Sequence, residues 1–362
     1  MRNPTKIIVD AMGGDLAPHS VVEGAVAACR EYNSEIIFVG NEDVVKNEID
    51  KFDTTDLPIS IVHASEVVEM HDHPFDVLKK KKDSSINVAM NLLKDGKGDA
   101  FFSAGNSGAV AAAALFIIKR IEGIDRPGIA TLMPTINDHA IVTDAGATNL
   151  CKPFNMVQFG IMGSVYSKYF LKRENPSVGI LSNGEEETKG TDTIKEANQL
   201  LKKSSLNYIG FVEGKDIFNG DVDVVVCDGF TGNIVLKVAE GVAGALGKVL
   251  KEELTRSLQS KIGLLFSKKA LLKFKKRFDY EEVGGAPLLG VRKPVMFAHG
   301  RSNPYTIKNA IRCAIEFTEA NVIYHIENDL EINKDLHSIG KKPSFISKVL
   351  QDMHLKKTTP EE

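Results

Sequence analysis

The sequence predicts an α/β fold with three layers, in which helices cover both faces of one large, mostly parallel β-sheet. Short apolar runs, such as Lys6–Asp10 and Glu35–Gly40, alternate with longer segments whose apolar residues recur at helical spacing. Glycine- and polar-rich turns follow several of the apolar runs. Strands that alternate with helices of this length require right-handed crossovers between parallel strands, and such strands are buried on both faces.

The individual elements follow from these patterns in chain order. The segment His19–Tyr32 is predicted as a helix because Val22, Val26 and Cys29 recur at helical spacing. The predicted strands are Lys6–Asp10, Glu35–Gly40, Ile59–His63, 99–102, 129–132, 140–143, 178–181, 208–212 and 222–226. The remaining predicted helices are 84–94, 107–119, 153–171, 191–203, 231–253 and 304–327.

The length of the chain bounds its domain organisation. The 362 residues exceed the roughly 250–300 at which a single hydrophobic core stops growing. We therefore expect one α/β catalytic domain over 1–333 with two lobes, and a helical amphipathic insertion at about 254–280. From 334 to 362 the chain is polar and rich in lysine, and we expect a tail that is partly helical or disordered.

Charge and cysteine usage exclude several classes of function. The formal net charge of -3 gives no general attraction to nucleic acid, so we expect no nucleic-acid partner. The four cysteines form no CxxC pair, which favours reduced thiols over a disulfide or a zinc site. The stretch 109–118 is much shorter than the ~20 apolar residues that span a bilayer, and residues 1–6 lack a signal-peptide apolar run. We expect a soluble, cytoplasmic protein.

Five glycine- and polar-rich turns carry the chemical signal. In open α/β sheets, ligands bind beyond the carboxyl ends of the strands, where helix N-termini present free N–H groups. Glycine permits close backbone approach, Asn and Ser supply neutral donors, and Lys189 supplies a positive charge. Together these residue types suit an oxyanion such as phosphate, although tight turns and helix caps would use the same residues. The five turns are 10–15, 103–108, 183–190, 228–233 and 299–303.

Other motifs narrow the chemistry. The sequence contains no GxGxxG or GxxxxGK[ST] phosphate-binding turn, and no HExxH or GxSxG motif. The triplet at 71–73, His-Asp-His, precedes Pro74 in a polar segment, which favours a loop over a metal site. Cys227 ends a predicted strand, but no histidine lies nearby in sequence, which favours a buried structural thiol over a nucleophile. We expect neither a metal nor a cofactor.

A set of motifs, taken in their order along the chain, points to one protein family. The segments are 10–15 with Pro18, 82–85, 103–109, 151–153, 157–159 with 162–164, 184–190, 227–233 and 284–290. In this order they resemble the bacterial phosphate acyltransferase family, the acyl-ACP:phosphate transacylases of phospholipid synthesis. The resemblance runs from Ile7 to about His325. Three positions depart from the family pattern: Thr148 stands where Asn is expected, Ser107 where Thr is common, and Arg301 where a small residue is expected.

The resemblance implies a reaction and a set of partners. Fatty acyl-ACP and inorganic phosphate would give acyl phosphate and free ACP (acyl carrier protein), in an isocitrate-dehydrogenase-like fold without a cofactor. The implied partners are ACP, phosphate, a second copy in a homodimer, a downstream membrane glycerol-3-phosphate acyltransferase and the inner surface of the cell membrane. The alternatives are a dehydrogenase of the isocitrate or hydroxythreonine-phosphate type, and a non-catalytic membrane scaffold that binds acyl-ACP.

Within that reaction we predict Lys189, Asn233 and Asn106 as the catalytic residues. Lys189 would bind the attacking phosphate, because it is the only Lys or Arg in the glycine turns apart from Arg301. The two asparagines would bind phosphate and the developing carbonyl oxyanion. The predicted phosphate- and substrate-binding residues are Gly13, Gly14, Asp15, Ser103, Gly105, Glu187, Asp228, Thr231, Gly232 and His299, the last as a candidate to protonate the leaving sulfur.

The predicted insertion has its own signal. Apolar residues at helical spacing are followed by lysines opposite a second apolar stripe, which is typical of a helix that lies in lipid headgroups. The same apolar face could instead form a dimer interface, and the lysines could instead dock the acidic carrier protein. The residues predicted to contact membrane or ACP are Leu258, Ile262, Leu265, Lys269, Lys273, Phe274 and Lys276.

Overall fold

The computed structural model describes residues 4–32, 34–278 and 280–336, without the side chains at 272, 275–278 and 280. The predicted tail from 337 onward and the side chain of Lys276 lie outside these described residues. The strands are β1 Lys6–Asp10, β2 Glu35–Gly40, β3 Ile59–His63, β4 Ala100–Ser103, β5 Gly128–Pro134, β6 His139–Thr143, β7 Ser177–Leu181, β8 Asn207–Val212, β9 Val224–Val226, β10 Ala286–Leu289 and β11 Val295–Phe297.

Helices separate most of these strands. They are α1 His19–Tyr32, α2 Glu42–Ile49, α3 Asp76–Lys79, α4 Ser85–Lys94, α5 Ser107–Ala113 with a π-helical turn Ala114–Ile118, α6 Pro153–Tyr169, α7 Asp192–Leu201, α8 Asp216–Asn219, α9 Gly229–Arg256, α10 Leu258–Phe278, α11 Tyr280–Val283, α12 Pro304–Glu319 and α13 Val322–Ile332. The alternation of strands and helices confirms the predicted α/β class.

In the described chain, eleven strands form one sheet in the order β3-β2-β1-β4-β11-β10-β5-β6-β9-β7-β8. The first block, β3, β2, β1, β4 and β11, is parallel throughout. Strand β10 pairs antiparallel with both β11 and β5, and β5 pairs antiparallel with β6. Strands β6, β9, β7 and β8 then form a second parallel block. The predicted large, mostly parallel sheet is therefore confirmed.

The core shows why these segments are strands. Ile7 and Val9 pack into one hydrophobic cluster with α1, α6 and α12, while Ile8 packs into a second cluster with α4 and α5. All three residues are fully buried. Successive side chains in a strand point to opposite faces, so a continuous apolar run is the pattern of a strand covered on both sides. The three-layer arrangement follows from this burial.

Several boundaries differ from the sequence predictions for identifiable reasons. The predicted helix 304–327 is two helices, because Asn321 adopts a left-handed conformation with φ 49° and separates them. The predicted helix 107–119 is α-helical only as far as Ala113 and continues as a π-helical turn. Helix α2 and strands β10 and β11 were not predicted. The two strands contain four and three residues, too few to show a period.

Helices α9 and α10 expose much of their apolar surface. Gly229 and Gly232, in the first turn of α9, are its buried residues. The exposed surface therefore begins before residue 254, where the predicted insertion starts. The exposed large apolar residues of the two helices are Phe230, Ile234, Val238, Val242, Leu246, Val249, Leu250, Leu258, Ile262, Leu265, Phe266 and Phe274. Within the described residues, no helix combines the length and the hydropathy needed to cross a bilayer.

We predict that Gly24→Ala lowers the free energy of unfolding by about 1–3 kcal/mol, the usual cost of overpacking a filled core. A Cβ at Gly24 would lie 2.6 Å from the Pro304 carbonyl oxygen and 2.7 Å from Ile307 Cβ, where α1 packs on α12. The matched control is Gly244→Ala in α9, where a Cβ has no neighbour within 4 Å.

The control should raise the same free energy by up to about 1 kcal/mol, because alanine favours a helix interior over glycine. Chemical denaturation measures both variants. Equal effects of the two substitutions would show that α1 and α12 leave room for a Cβ at Gly24.

Candidate active site

The five predicted turns gather into two groups, each at the carboxyl ends of one parallel block. The first group joins the turns after β1, β4 and β11. Ser103 Oγ donates to Asp10 Oδ2 at 2.7 Å and accepts from the Gly105 N–H at 3.0 Å. A Cβ on Gly13 would collide with Asp10 Oδ2 and lie 2.9 Å from the Gly105 nitrogen. Glycine at 13 therefore allows one turn to pack on the next.

The turn after β11 docks on the same group. The Asp15 N–H donates to the Gly300 carbonyl at 2.7 Å, and a Cβ on Gly14, whose φ is +114°, would lie 3.1 Å from that oxygen. Arg301 Nε lies 3.7 Å from Asp15 Oδ2. His299 is exposed, and its Nδ1 accepts from the Arg301 N–H at 3.3 Å. Arg301, the unexpectedly large residue, thus reaches outward to a carboxylate.

Asn106 has a structural task in this group. Its Nδ2 donates to the carbonyls of Glu69 and Asp72, both at 3.1 Å, and to that of Met70 at 3.3 Å. Its Oδ1 accepts from the Ala109 N–H at 3.0 Å and caps α5. Both polar atoms of the side chain are engaged, so Asn106 holds a loop onto the start of a helix.

That loop contains the His-Asp-His triplet. Asp72 Oδ2 accepts from Lys81 Nζ at 2.5 Å and from the Glu69 N–H at 2.7 Å. The Lys81 ammonium is the main cause that holds the pKa of Asp72 below its usual value. The central carboxylate of the triplet therefore forms hydrogen bonds within the loop.

The second group forms a pocket of about 370 Å³ between the N-termini of α7 and α9. Its lining residues are Asn149, Leu150, Cys151, Met156, Thr191, Thr193, Asp228, Phe230 and Thr231. Asp228 caps α9, because its carboxylate accepts from the Thr231 N–H at 2.9 Å and from Thr231 Oγ1 at 2.7 Å. Thr191 caps α7 by accepting from the Ile194 N–H at 3.3 Å. We call this cavity the α7–α9 pocket.

The loop 144–148 leads into Asn149, which lines the α7–α9 pocket, and packs on the first turn of α9. A Cβ on Gly232 would collide with the Asp144 carbonyl, and the Gly229 N–H donates to the Thr148 carbonyl at 2.9 Å. The position of a Cβ on Gly146 lies 3.7 Å from Asn233 Cβ. The predicted residues Asp228, Thr231, Gly232 and Asn233 are thus assembled around one loop.

Lys189 lies beside this pocket, two residues before Thr191. Its backbone N–H donates to the Glu186 carbonyl at 2.9 Å, and its side chain is exposed. Gly184 makes room for the lysine stem, since a Cβ there would lie 2.8 Å from Lys189 Cγ. The neighbouring Glu187 instead pairs with Lys202, the main cause that lowers the pKa of Glu187.

The structure therefore brings Lys189 and Asn233 to the second group and places Asn106, Ser103 and His299 in the first. Ala147, in the loop 144–148, packs on the same hydrophobic cluster as Ala109 at the start of α5. Both groups thus border the same apolar layer of the molecule.

Sequence reasoning missed Asp144 as a functional candidate. Its carboxylate is fully buried at the end of β6 and accepts four backbone N–H groups. An aspartate that ends a strand and is followed by a glycine turn was the available signal. Thr148, where the family pattern has Asn, donates from Oγ1 to the Pro127 carbonyl at 3.1 Å, so its hydroxyl fastens the same loop.

Comparison with known proteins identifies the class of protein to which the chain belongs. The family model described as "Fatty acid synthesis protein" matches residues 5–325, which places the chain among proteins of fatty acid synthesis. A phosphotransacetylase from Streptococcus pyogenes superposes with a TM-score of 0.60 at 20% identity, covering 89% of this chain and 94% of that one. EutD phosphotransacetylase from Staphylococcus aureus gives 0.56 at 17%, covering 88% and 94%. At these identities the likeness shows the fold alone.

Curated relatives identify the family of the chain more specifically. A phosphate acyltransferase from Geotalea daltonii is 53% identical over 332 residues, covering 92% of this chain and 96% of the relative. The phosphate acyltransferase of Geobacter sulfurreducens is 51% identical over 326 residues, covering 90% and 94%. The chain belongs to the phosphate acyltransferase family and is an acyltransferase of lipid biosynthesis. The resemblance read from the ordered motifs is confirmed.

We predict that neither pocket-side cysteine acts as a nucleophile. Burial raises the pKa of the Cys151 thiol to about 12 and that of Cys227 well above its ordinary value. Because the thiolate is the reactive form, Cys151→Ala and Cys227→Ala should each keep kcat within about threefold. Rate measurements and mass spectrometry of the enzyme during turnover check this. A loss on the order of 10²-fold together with an acyl adduct on either cysteine in the wild type would contradict it.

Proposed function

We propose that this enzyme transfers a fatty acyl group from the thioester of acyl carrier protein to inorganic phosphate at the α7–α9 pocket. The observation that carries the proposal is the meeting of two helix N-termini at one cavity, with Lys189 beside it. Helix N-termini present free N–H groups and partial positive charge, which favour a bound oxyanion. The residues matched by the fatty acid synthesis family include every part of this pocket.

The reaction requires little general-base help. A phosphate oxygen attacks the carbonyl carbon of the thioester, and the electron pair of the carbonyl moves onto its oxygen. The tetrahedral intermediate then expels the thiolate, which takes a proton to give the free carrier thiol, and the acyl phosphate remains. Phosphate is already anionic at neutral pH, and a thiol pKa near ~8.5 makes the sulfur a good leaving group. Positioning and oxyanion stabilisation therefore supply most of the barrier reduction.

Lys189 and Asn233 take separate roles in this scheme. The Lys189 ammonium neutralises the attacking phosphate, and its exposure leaves the side chain able to swing over the pocket. Asn233, exposed beside Gly146 near the start of α9, offers its amide to the carbonyl oxygen. Asn106 acts indirectly, because its amide already holds the loop 69–72 on the start of α5.

Wild-type enzyme incubated with acyl-ACP and phosphate should form acyl phosphate, which hydroxylamine traps as a hydroxamate. We predict that Lys189→Ala and Asn233→Ala each lower kcat/KM by on the order of 10²-fold or more, the usual cost of losing an oxyanion donor. The matched control is Lys203→Ala, an exposed lysine just beyond the end of α7.

The control should keep wild-type rates. Activity within about threefold of wild type for both Lys189→Ala and Asn233→Ala would remove these residues from the mechanism. Absence of any hydroxamate from the wild type would instead overturn the proposed substrates, and would favour a scaffold that binds acyl-ACP without turning it over.

We propose that helices α9 and α10 bring the enzyme to the inner face of the cell membrane. Leu258 and Leu265 are 77% and 74% exposed, and Lys269 and Lys273 are exposed further along α10. Exposed apolar side chains beside lysines suit an anionic lipid surface.

At the membrane surface, the acyl phosphate product would pass to a membrane glycerol-3-phosphate acyltransferase. The apolar residues of α9 would pack against a second copy in a homodimer, and the lysines would also attract the acidic carrier protein.

The double variant Lys269→Glu/Lys273→Glu should bind vesicles that contain anionic lipid at least about tenfold more weakly, since each basic residue near such a surface contributes about 1 kcal/mol. Co-sedimentation with anionic and neutral vesicles measures this. Lys94→Glu/Lys97→Glu, an exposed pair at the C-terminal end of α4 with the same change in charge, is the control and should bind as wild type does. Equal binding of wild type to both vesicle types, or to neither, would refute the electrostatic contribution.

A further inference from the structure

The buried carboxylate of Asp144 has no part in the chemistry proposed above, yet it organises the loop that leads into the lining of the α7–α9 pocket at Asn149. Oδ1 accepts from the N–H groups of Ile129 at 2.9 Å, Gly146 at 3.0 Å and Ala147 at 2.9 Å. Oδ2 accepts from the Thr148 N–H at 2.6 Å. Four backbone donors therefore converge on two oxygens, and three of the four belong to the loop 144–148.

This arrangement requires the ionised carboxylate. An ionised carboxylate only accepts hydrogen bonds, whereas a protonated one must donate from one oxygen. Hydrogen bonds to a charged acceptor are also roughly twice as strong as neutral ones. Protonation would turn one acceptor oxygen into a donor that faces N–H groups, and the loop would lose part of what holds its shape.

The contacts of the same loop position the start of α9 and the residues that line the pocket. The Thr148 carbonyl accepts from the Gly229 N–H at 2.9 Å and from Cys151 Sγ at 3.2 Å. Gly146 lies against Asn233, and Asn149 continues the loop into the pocket wall. A shift of the loop would therefore move the first turn of α9 and the proposed oxyanion donor relative to the bound phosphate.

We propose that Asp144 is a positioning residue for acyl transfer, whose ionised carboxylate holds the loop 144–148 against the start of α9 in the reactive geometry. The inference rests on the proposed function, because it assumes that the α7–α9 pocket is where the reaction occurs. Asp144 touches neither substrate. It acts through the backbone that it fixes.

The ionisation of Asp144 falls within a measurable pH range. Burial raises the pKa of this carboxyl to about 6, and the four N–H donors limit the rise. The titratable groups around it are the thiols of Cys227 and Cys151 and the carboxylate of Asp228. Arg126, which precedes β5, is a further charged group near Cys151. Both thiols are neutral at these pH values, because burial raises their pKa.

The direction of the Asp144 pKa shift distinguishes a loss of positioning from unfolding of the enzyme. Because the pKa in the folded protein exceeds the ordinary value near 4, protonation of Asp144 favours the folded state. The contribution of this group to stability is full below pH 4 and is lost as pH rises through about 6. A loss of activity on acidification that arises from Asp144 therefore occurs in folded enzyme.

The test is the ratio of kcat/KM for wild type to that for Asp144→Asn, measured from pH 5 to pH 8. Titration of phosphate affects both enzymes alike and cancels in the ratio. The ratio should be on the order of 10-fold or more above pH 7 and should fall about tenfold by pH 5, as the wild-type carboxylate protonates. A ratio that does not change with pH, or a variant as active as wild type at pH 8, would overturn the proposal.

Two controls make the outcome specific. Gly146→Ala strains the same loop at φ +137° but leaves the Asp144 carboxylate in place to titrate, so its ratio to wild type should change much less with pH than the ratio for Asp144→Asn. Lys189→Ala tests the pocket itself. A large loss for Lys189→Ala with a flat Asp144→Asn ratio would reject only the role of Asp144, whereas no loss in either variant would reject the pocket as the site.

A measurement on wild-type enzyme covers the case in which Asp144→Asn does not fold. Hydrogen exchange of the backbone N–H groups at 146–148, corrected for the intrinsic effect of pH, reports the bonds to the carboxylate. Protection of these groups should fall between pH 7 and pH 5 while protection in β6 is retained. Unchanged protection at 146–148 would show that the loop does not depend on the ionised form.

Discussion

The structure depends on the close approach of turns at the carboxyl ends of the strands, which is possible only where a Cβ is missing. Gly13 admits Asp10 and the backbone of Gly105, and Gly232 admits the carbonyl of Asp144. Because the contacts of Gly13 with Gly105 and of Gly232 with Asp144 join segments that follow different strands, the two parallel blocks present assembled edges instead of separate loops. Helix N-termini at those edges then lie at fixed distances from one another, which is the precondition for binding a small anion.

Electrostatics favours the second group over the first as the proposed anion site. In the first group, the polar atoms of Asn106, Ser103 and Asp10 satisfy one another or nearby backbone, and burial raises the pKa of Asp10. In the second group, two capped helix N-termini face a cavity with an exposed lysine beside it. The negative charge of Asp144 is taken up by four backbone donors, so it does not repel an anion as a free carboxylate would.

The sequence predicted the helix and strand layers of the fold better than it predicted the role of each polar side chain. Strand β1 and helix α1 have the predicted ends, because a fully apolar run and a helical period are local signals. Asn106 was predicted as a ligand, but its amide is engaged by carbonyls 34–37 residues away, a contact that no local pattern encodes. Asp144 was overlooked although three of its four N–H donors, at 146–148, follow it closely in the chain, and only the Ile129 N–H requires β5 to pair with β6.

Helix α9 connects the proposed site to the exposed apolar surface that we propose as the membrane and dimer surface. Its first turn lines the α7–α9 pocket through Phe230 and Thr231, and the same helix continues outward with Ile234 and Val238 exposed. A fatty acyl chain is apolar, and acyl phosphate reacts readily with water, so a short path from pocket to membrane limits loss by hydrolysis. Because one continuous helix, Gly229–Arg256, carries both the proposed phosphate-binding turn and an exposed apolar face, the proposed site and the proposed membrane surface would lie a fixed distance apart.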